Sequence, residues 1–294
     1  MSKIKVNIHI TEACNYHCRY CFAHFDKHVS LSKEQWMKII DNVADSGRVY
    51  EINFAGGEPM LVPYLHELAE YVVSKGLSCS LISNGSMMTE EWIRDHAGLF
   101  RTIGLSVDSF SSDTAVKIGR CTCRGDVQTS DRIAEIIRTI KRYHPVVKVK
   151  INTVVNALNK NEIPVLFMKE NNLSVDRWKI LKMSYFNDGC FENSSLEISL
   201  DEYYKFVREN LAVLGCRSID EGIVLYETDM IREVVAEKEI NGSYYMIDAG
   251  GFLVDDTCND SYTRIINCLT EPFTDGIEKL TLYDEVYNSR YIRA

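Results

Sequence analysis

Short strand-like runs alternate with helical patterns through the first two-thirds of this 294-residue chain. The predicted strands are Ile4–Thr11, Tyr50–Ala55, Ser78–Asn84, Thr102–Asp108, Val146–Val155 and Val175–Met183. Between the first two, Trp36, Ile39, Ile40, Val43 and Ala44 recur at helical spacing behind Ser30 or Ser32 as N-cap. Further helices are expected near Tyr64–Ser74, Glu90–Ala97, Asp131–Tyr143, Glu162–Asn171 and Leu200–Leu214. Six β-then-α units favour parallel strands with helical crossovers, since parallel neighbours cannot be joined by a tight hairpin. A curled α/β barrel and an open flavodoxin-like sheet both satisfy that pattern.

Alternation within the strands adds a second constraint. Asn7, His9 and Thr11 oppose Val6, Ile8 and Ile10, and Glu51 and Asn53 oppose Ile52 and Phe54. Ser106 and Asp108 oppose Ile103, Leu105 and Val107; Lys148, Lys150 and Asn152 oppose Val147, Val149 and Ile151; Arg177 and Lys179 oppose Trp178 and Ile180. Side chains alternate faces along a strand, and parallel strands covered on both faces would instead read as continuous apolar runs. One face must pack under the helices, so the polar face turns inward to a cavity that holds ligands and water. An antiparallel sheet with one solvated face gives the same alternation, and the regular helical inserts argue against it.

Lys150, Arg177 and Lys179 then project into one cavity from neighbouring strands. Three cations need an anion to offset their repulsion, and Arg and Lys together suit phosphate. Nothing resembles a Walker loop or a kinase-type carboxylate cage. The competing reading pairs these cations with Glu51, Asp108 or other carboxylates, because buried charges are usually paired.

The chemistry-bearing feature is Cys14-Asn-Tyr-His-Cys18-Arg-Tyr-Cys21, which ends in Phe22. Three thiolates at this spacing wrap a four-iron, four-sulfide cluster and leave one iron without a protein ligand. A structural zinc site would need a fourth ligand, and the next cysteine is Cys79. Cys79, Cys121, Cys123, Cys190, Cys216, Cys258 and Cys268 are read as buried or loop thiols, with Cys121 and Cys123 the pair to watch for metal or redox work. Gly56-Gly57-Glu58-Pro59 follows the second strand, where glycines allow close backbone approach and Glu58 offers an acceptor to an ammonium.

A net charge of −9 argues against broad nucleic-acid or acidic-membrane binding. No run approaches the length of a membrane helix and the N-terminus leads straight into a strand, so a cytoplasmic protein is expected.

The C-x3-C-x2-C-aromatic run followed by the Gly-Gly-Glu-Pro turn resembles the radical S-adenosylmethionine (SAM) superfamily. Within it, the stretches Asn7–Cys21, Asn53–Leu61, Ile82–Ser86, Leu105–Phe110, Ile118–Arg120, Lys150–Asn156, Arg177–Leu181 and Ser243–Asp248 resemble the viperin family in order and spacing. The resemblance implies a partial six-stranded (β/α) radical SAM barrel over residues 1–185, with a C-terminal extension over 186–294 closing the barrel and substrate site. It implies a [4Fe-4S] cluster on Cys14, Cys18 and Cys21, whose open iron takes the amine and carboxylate of SAM. Gly56, Gly57 and Glu58 would hold the SAM amino group, Ser106 its ribose and Arg120 its carboxylate, with Ser83 and Asn84 lining the same pocket. Asn7, Lys150, Asn152, Arg177 and Lys179 would bind a nucleoside triphosphate (CTP, UTP or GTP), and Tyr244 would supply the final hydrogen or proton.

The implied reaction is loss of water from the ribose. A 5′-deoxyadenosyl radical takes the 4′ hydrogen, the 3′-hydroxyl leaves, and one electron and one proton give a 3′-deoxy-3′,4′-didehydro chain terminator for viral polymerases. An electron donor such as flavodoxin or ferredoxin is implied. The amphipathic membrane helix of vertebrate members is not expected here. The chain carries Cys121-Thr122-Cys123-Arg124 where the family commonly has a glycine-containing loop, and the family's last basic phosphate contact has no clear counterpart, with Arg264 a candidate. A radical SAM enzyme acting on a peptide or another small molecule, and a non-enzymatic iron–sulfur redox sensor, are the alternatives.

Overall fold

The computed structural model describes residues 3–21, 31–185, 193–215, 231–237, 244–256 and 263–280. Its strands are β1 (Ile4–Thr11), β2 (Val49–Gly56), β3 (Ser78–Ser83), β4 (Thr102–Ser106), β5 (Lys148–Val155), β6 (Val175–Lys182), β7 (Ile231–Glu237), β8 (Tyr245–Ile247), β9 (Phe252–Asp255) and β10 (Thr263–Asn267). Its helices are α1 (Lys33–Asp45), α2 (Leu65–Ser74), α3 (Glu90–His96), α4 (Ser112–Ile118), α5 (Ser130–Tyr143), α6 (Pro164–Glu170), α7 (Leu200–Val213) and α8 (Phe273–Ile277). One sheet runs in the order β10-β9-β8-β1-β2-β3-β4-β5-β6-β7.

β1 to β7 pair in sequence order and in parallel, and β8 joins β1 in parallel. A doubly wound sheet reverses its strand order at a switch point. No reversal occurs among β1–β6, so the open flavodoxin-like alternative is excluded, and with it the antiparallel one. Among the described strands the antiparallel pairs are β8–β9 and β9–β10, which extend the β8 edge.

The apolar strand faces behave as read. Val6, Ile8, Ile52, Phe54, Ile103, Val149, Ile151, Trp178 and Ile180 are buried in one core with Trp36, Ile39, Ile40 and Val43 of α1 and Ile133, Ile137 and Ile140 of α5. Each such side chain contributes about 1.5–3 kcal/mol by leaving water. Ser32 caps α1, its hydroxyl accepting the Gln35 N–H while the Gln35 side chain returns to the Ser32 N–H. Ser30 and Phe22 lie outside the described residues, as do Cys190, Cys216, Cys258 and Ser243.

Several details differ from expectation. The fourth strand stops at Ser106, because Asp108 Oδ1 accepts the Val154 N–H at 2.7 Å and a side chain replaces the ladder there. The helix expected from Glu162 starts at Pro164, whose missing N–H suits the first helical position. Lys148, placed on the inward face by alternation, is solvent-exposed at the open start of β5.

Candidate active site

The cysteine run leaves the C-terminal end of β1 and is clamped from two sides. On one side, Gly57 N–H donates to the Thr11 carbonyl at 2.7 Å and Glu58 N–H to the Ala13 carbonyl at 2.8 Å. On the other, His17 N–H donates to the Gly119 carbonyl at 3.1 Å and Arg19 N–H to the Ile118 carbonyl at 2.9 Å. A Cβ at Gly57 would sit 2.2 Å from the Ala13 carbonyl oxygen, and one at Gly119 2.3 Å from that of His17. These glycines let backbone approach backbone. The close approach expected of Gly57 toward a ligand is thus made, in this structure, to the cysteine loop.

Asn15, a spacer in the motif, adds a side-chain staple. Its Nδ2 donates to Ser86 Oγ at 2.8 Å and its Oδ1 accepts from Asn84 Nδ2 at 2.8 Å. Sequence reading missed this role, since the partners lie about 70 residues away and only the topology brings them together.

Glu58, expected to offer an acceptor to an ammonium, is 0% exposed. Its carboxylate accepts Ser83 Oγ at 2.7 Å, the Asn84 N–H at 2.7 Å and the Met60 N–H at 3.1 Å. Burial pushes its carboxyl above the usual range, and these donors oppose that. The same carboxylate therefore ties β2 to Ser83 and Asn84 at the end of β3.

Cys14, Cys18 and Cys21 are all free thiols. Burial pushes Cys18 up to about 12, against the pull of Arg120, and Cys14 and Cys21 lie near enough to raise it further. The Tyr16 N–H points at Cys14 Sγ at 3.4 Å and Arg120 Nη1 at Cys18 Sγ at 3.7 Å. Three soft donors on one clamped loop, with N–H groups already aimed at sulfur, fit a cluster-bound iron set. Among the described residues no three His, Cys, Asp or Glu are drawn together into a metal-holding group, the three cysteines included.

Arg120 follows α4 and its left-handed cap Gly119, and it is buried rather than on the surface. Its guanidinium pairs with Asp108 Oδ2 at 3.2 Å and donates to the Ser106 carbonyl and to Tyr20 Oη. The departure at Cys121–Arg124 closes as a tight turn. Gly125 supplies the left-handed residue, and the Thr122 N–H donates to the Asp126 carbonyl at 2.9 Å.

Inside the barrel, register places Ser106, Asn152 and Lys179 side by side across β4, β5 and β6. Two residues earlier on each strand stand Gly104, Lys150 and Arg177. Lys179 Nζ donates to Tyr244 Oη at 2.6 Å, bringing the C-terminal segment to the inward row. Asn7 Oδ1 accepts from Asn53 Nδ2 at 2.9 Å, while buried Oδ1 atoms of Asn53 and Asn152 lack partners.

The two carboxylates weighed as partners for the inward cations are held elsewhere. Glu51 binds Lys5 Nζ at 2.5 Å, Ser80 Oγ at 2.6 Å and Arg101 at 3.5 Å toward the N-terminal end of the strands, and Asp108 holds Arg120. Arg264 is paired with buried Asp248 at 2.8 Å.

Comparison with known proteins agrees with this geometry. Residues 8–166 match the radical SAM superfamily profile. A protein of Selenomonas ruminantium named S-adenosylmethionine-dependent nucleotide dehydratase is 34% identical over 98% of this chain and 98% of its own length. One of the same name from Fibrobacter sp. (strain UWH6) is 36% identical over 98% of this chain and 88% of its own. Among solved structures, anSMEcpe with bound AdoMet superposes with TM-score 0.68 at 17% identity, covering 93% of this chain and 80% of that one. Streptococcus suis SuiB bound to S-adenosylmethionine gives 0.67 at 16%, covering 97% and 68%. These last two speak to the fold alone. The chain belongs to the viperin-like S-adenosylmethionine-dependent nucleotide dehydratases of the radical SAM superfamily.

Proposed function

We propose that this protein is a radical SAM lyase that removes water from a ribonucleoside triphosphate, giving its 3′-deoxy-3′,4′-didehydro analogue. The observation that carries the reading is the pair of inward rows, Ser106–Asn152–Lys179 and Gly104–Lys150–Arg177, on the strands whose ends support the cysteine loop. They set polar side chains and three cations on one wall of one barrel, which supports a nucleotide and its phosphates there.

Cys14, Cys18 and Cys21 would hold a [4Fe-4S] cluster, which together with SAM would supply 5′-deoxyadenosyl radical chemistry there. The protein's own part is placement, since hydrogen abstraction needs the ribose 4′ carbon in near contact with that radical. Gly56, Gly57, Glu58, Ser83, Asn84, Ser106 and Arg120 line the SAM side. Lys150, Arg177 and Lys179 grip phosphate, Asn7 and Asn152 meet the nucleoside, and Gly104 accommodates the Ile82 side chain, whose Cδ1 a Cβ there would meet at 2.5 Å. Tyr244, held by Lys179, returns the last hydrogen or proton.

Residues 1–185 form the cluster and SAM unit, and 186–294 bring Tyr244 to the substrate. The reaction needs a reductant, for which a flavodoxin or ferredoxin is suited, and the product is a terminator for viral polymerases. No described helix is long and apolar enough to cross a membrane. The described cysteines, all free, suit the reducing cytoplasm.

The test is incubation of reduced, reconstituted protein with SAM and each of the four ribonucleoside triphosphates, read by mass spectrometry. One nucleotide should appear lighter by one water, together with 5′-deoxyadenosine. Formation of 5′-deoxyadenosine without any dehydrated nucleotide rejects the reading.

A further inference from the structure

Between the second and third cysteines stands Tyr20, whose side chain turns into the protein and is 9% exposed. It meets two other buried polar groups, Asp108 at 1% and Arg120 at 8% exposed. Taking an ion pair this far out of water costs several kcal/mol per ion unless every polar atom is engaged. Here both carboxylate oxygens, both guanidinium Nη atoms and the hydroxyl are engaged. Asp108 Oδ2 accepts the Tyr20 hydroxyl and the Arg120 Nη1 at 3.2 Å, while Oδ1 accepts the Val154 N–H at 2.7 Å. The Asp108 carbonyl accepts Asn159 Nδ2 at 2.9 Å. Arg120 Nη2 donates to the Ser106 carbonyl, and Nη1 reaches Tyr20 Oη at 3.3 Å and Cys18 Sγ at 3.7 Å.

The carboxylate is thus fixed to the β5 backbone and the guanidinium to the β4 backbone. The Tyr20 hydroxyl ties the cysteine loop to both. Phenylalanine at position 20 would fill the same space but could not make that link.

We propose that Tyr20 and Asp108 are positioning residues that set the charge beside Cys18, holding Arg120 against the cluster while cancelling most of its positive field. Charges and N–H donors next to a cluster sulfur set its reduction potential. The pair Asp108–Arg120 is neutral as a unit, so removing either member exposes the other, with opposite signs. The Tyr20 hydroxyl draws negative charge from the Asp108 carboxylate, so its loss makes that carboxylate more effective. This inference rests on the three-cysteine cluster and not on which nucleotide is the substrate.

The experiment is an electron-paramagnetic-resonance redox titration of the full, anaerobically reconstituted chain without SAM, with iron counted in every sample. Asp108→Asn should shift the potential positive and Arg120→Gln negative. Tyr20→Phe should shift it negative by less than Arg120→Gln does, at wild-type iron content. Shifts of the same sign for Asp108→Asn and Arg120→Gln overturn the proposal. Should Asp108→Asn fail to hold iron, Tyr20→Phe decides alone, because it keeps the ring and its packing. An unshifted potential in that variant with full iron also overturns it. The outcome is independent of whether any nucleotide is dehydrated.

Discussion

Replacing Gly57 by alanine probes the clamp on the cysteine loop. A Cβ there would lie 2.2 Å from the Ala13 carbonyl oxygen, 2.6 Å from its carbon and 2.7 Å from the Glu12 carbonyl oxygen. All three are backbone atoms, so no side-chain rotation relieves the overlap. The loop has to move, and the bonds from Gly57 N–H to Thr11 and from Glu58 N–H to Ala13 go with it. Two hydrogen bonds at about 1 kcal/mol each and about 1–3 kcal/mol of overpacking sum to about 3–5 kcal/mol. An unfolding entropy of about 2.1 cal/mol/K per residue gives this chain a slope of about 0.6 kcal/mol per degree, hence a Tm lower by about 5–8 °C. Calorimetry of the metal-free protein measures the shift, and iron counting after reconstitution measures its consequence, since Cys14 directly follows Ala13. Unchanged Tm and full iron uptake would refute the clamp. So would an unchanged Tm with only SAM affinity lost, which would assign the glycine to the ligand.

Cys18→Ala should abolish iron uptake and 5′-deoxyadenosine formation while leaving the metal-free protein's Tm near wild type; retained turnover would contradict the ligand set. Lys150→Ala should weaken nucleoside triphosphate binding, and an unchanged Kd by calorimetry removes it from the phosphate site. Tyr244→Phe should lower kcat with little change in nucleotide Kd; a rise in Kd at unchanged kcat would make it a binding residue instead. His9 is buried on the inward face, and burial lowers its pKa from 6.5 to about 4. Below pH 6.5 the unfolded chain takes up a proton that the folded one refuses. The stability present above that pH is therefore lost as pH falls toward 4, by about 3 kcal/mol in full. His9→Gln should flatten the decline in urea midpoint between pH 7 and 5, and an equal decline in both proteins would dismiss His9 as its source.

How much of this could be read without coordinates depended on how local each signal is. β1 carries its own pattern, since Asn7, His9 and Thr11 alternate with residues that must be buried, and its ends are those expected. α4 was overlooked although Ser111 caps its start and Gly119 its end, because seven residues leave little periodicity to detect. β7–β10 were illegible for another reason. β8 is three residues long and is made a strand by pairing with β1 and β9, not by its own composition.

The site divides in the same way. Three cysteines, a glycine pair and inward cations are visible as residue types at fixed spacing. Asn15 and Tyr20 look like spacers until the fold brings Asn84, Ser86 and Asp108 to them. Glu58 was legible as an acceptor, yet not as one engaged by Ser83, Asn84 and Met60.

The most direct test of the account follows one hydrogen atom. A ribonucleoside triphosphate bearing deuterium at the ribose 4′ position, incubated with SAM and the reduced enzyme, should pass that deuterium into 5′-deoxyadenosine as the dehydrated nucleotide forms. Unlabelled 5′-deoxyadenosine alongside a nucleotide that keeps its deuterium would contradict it.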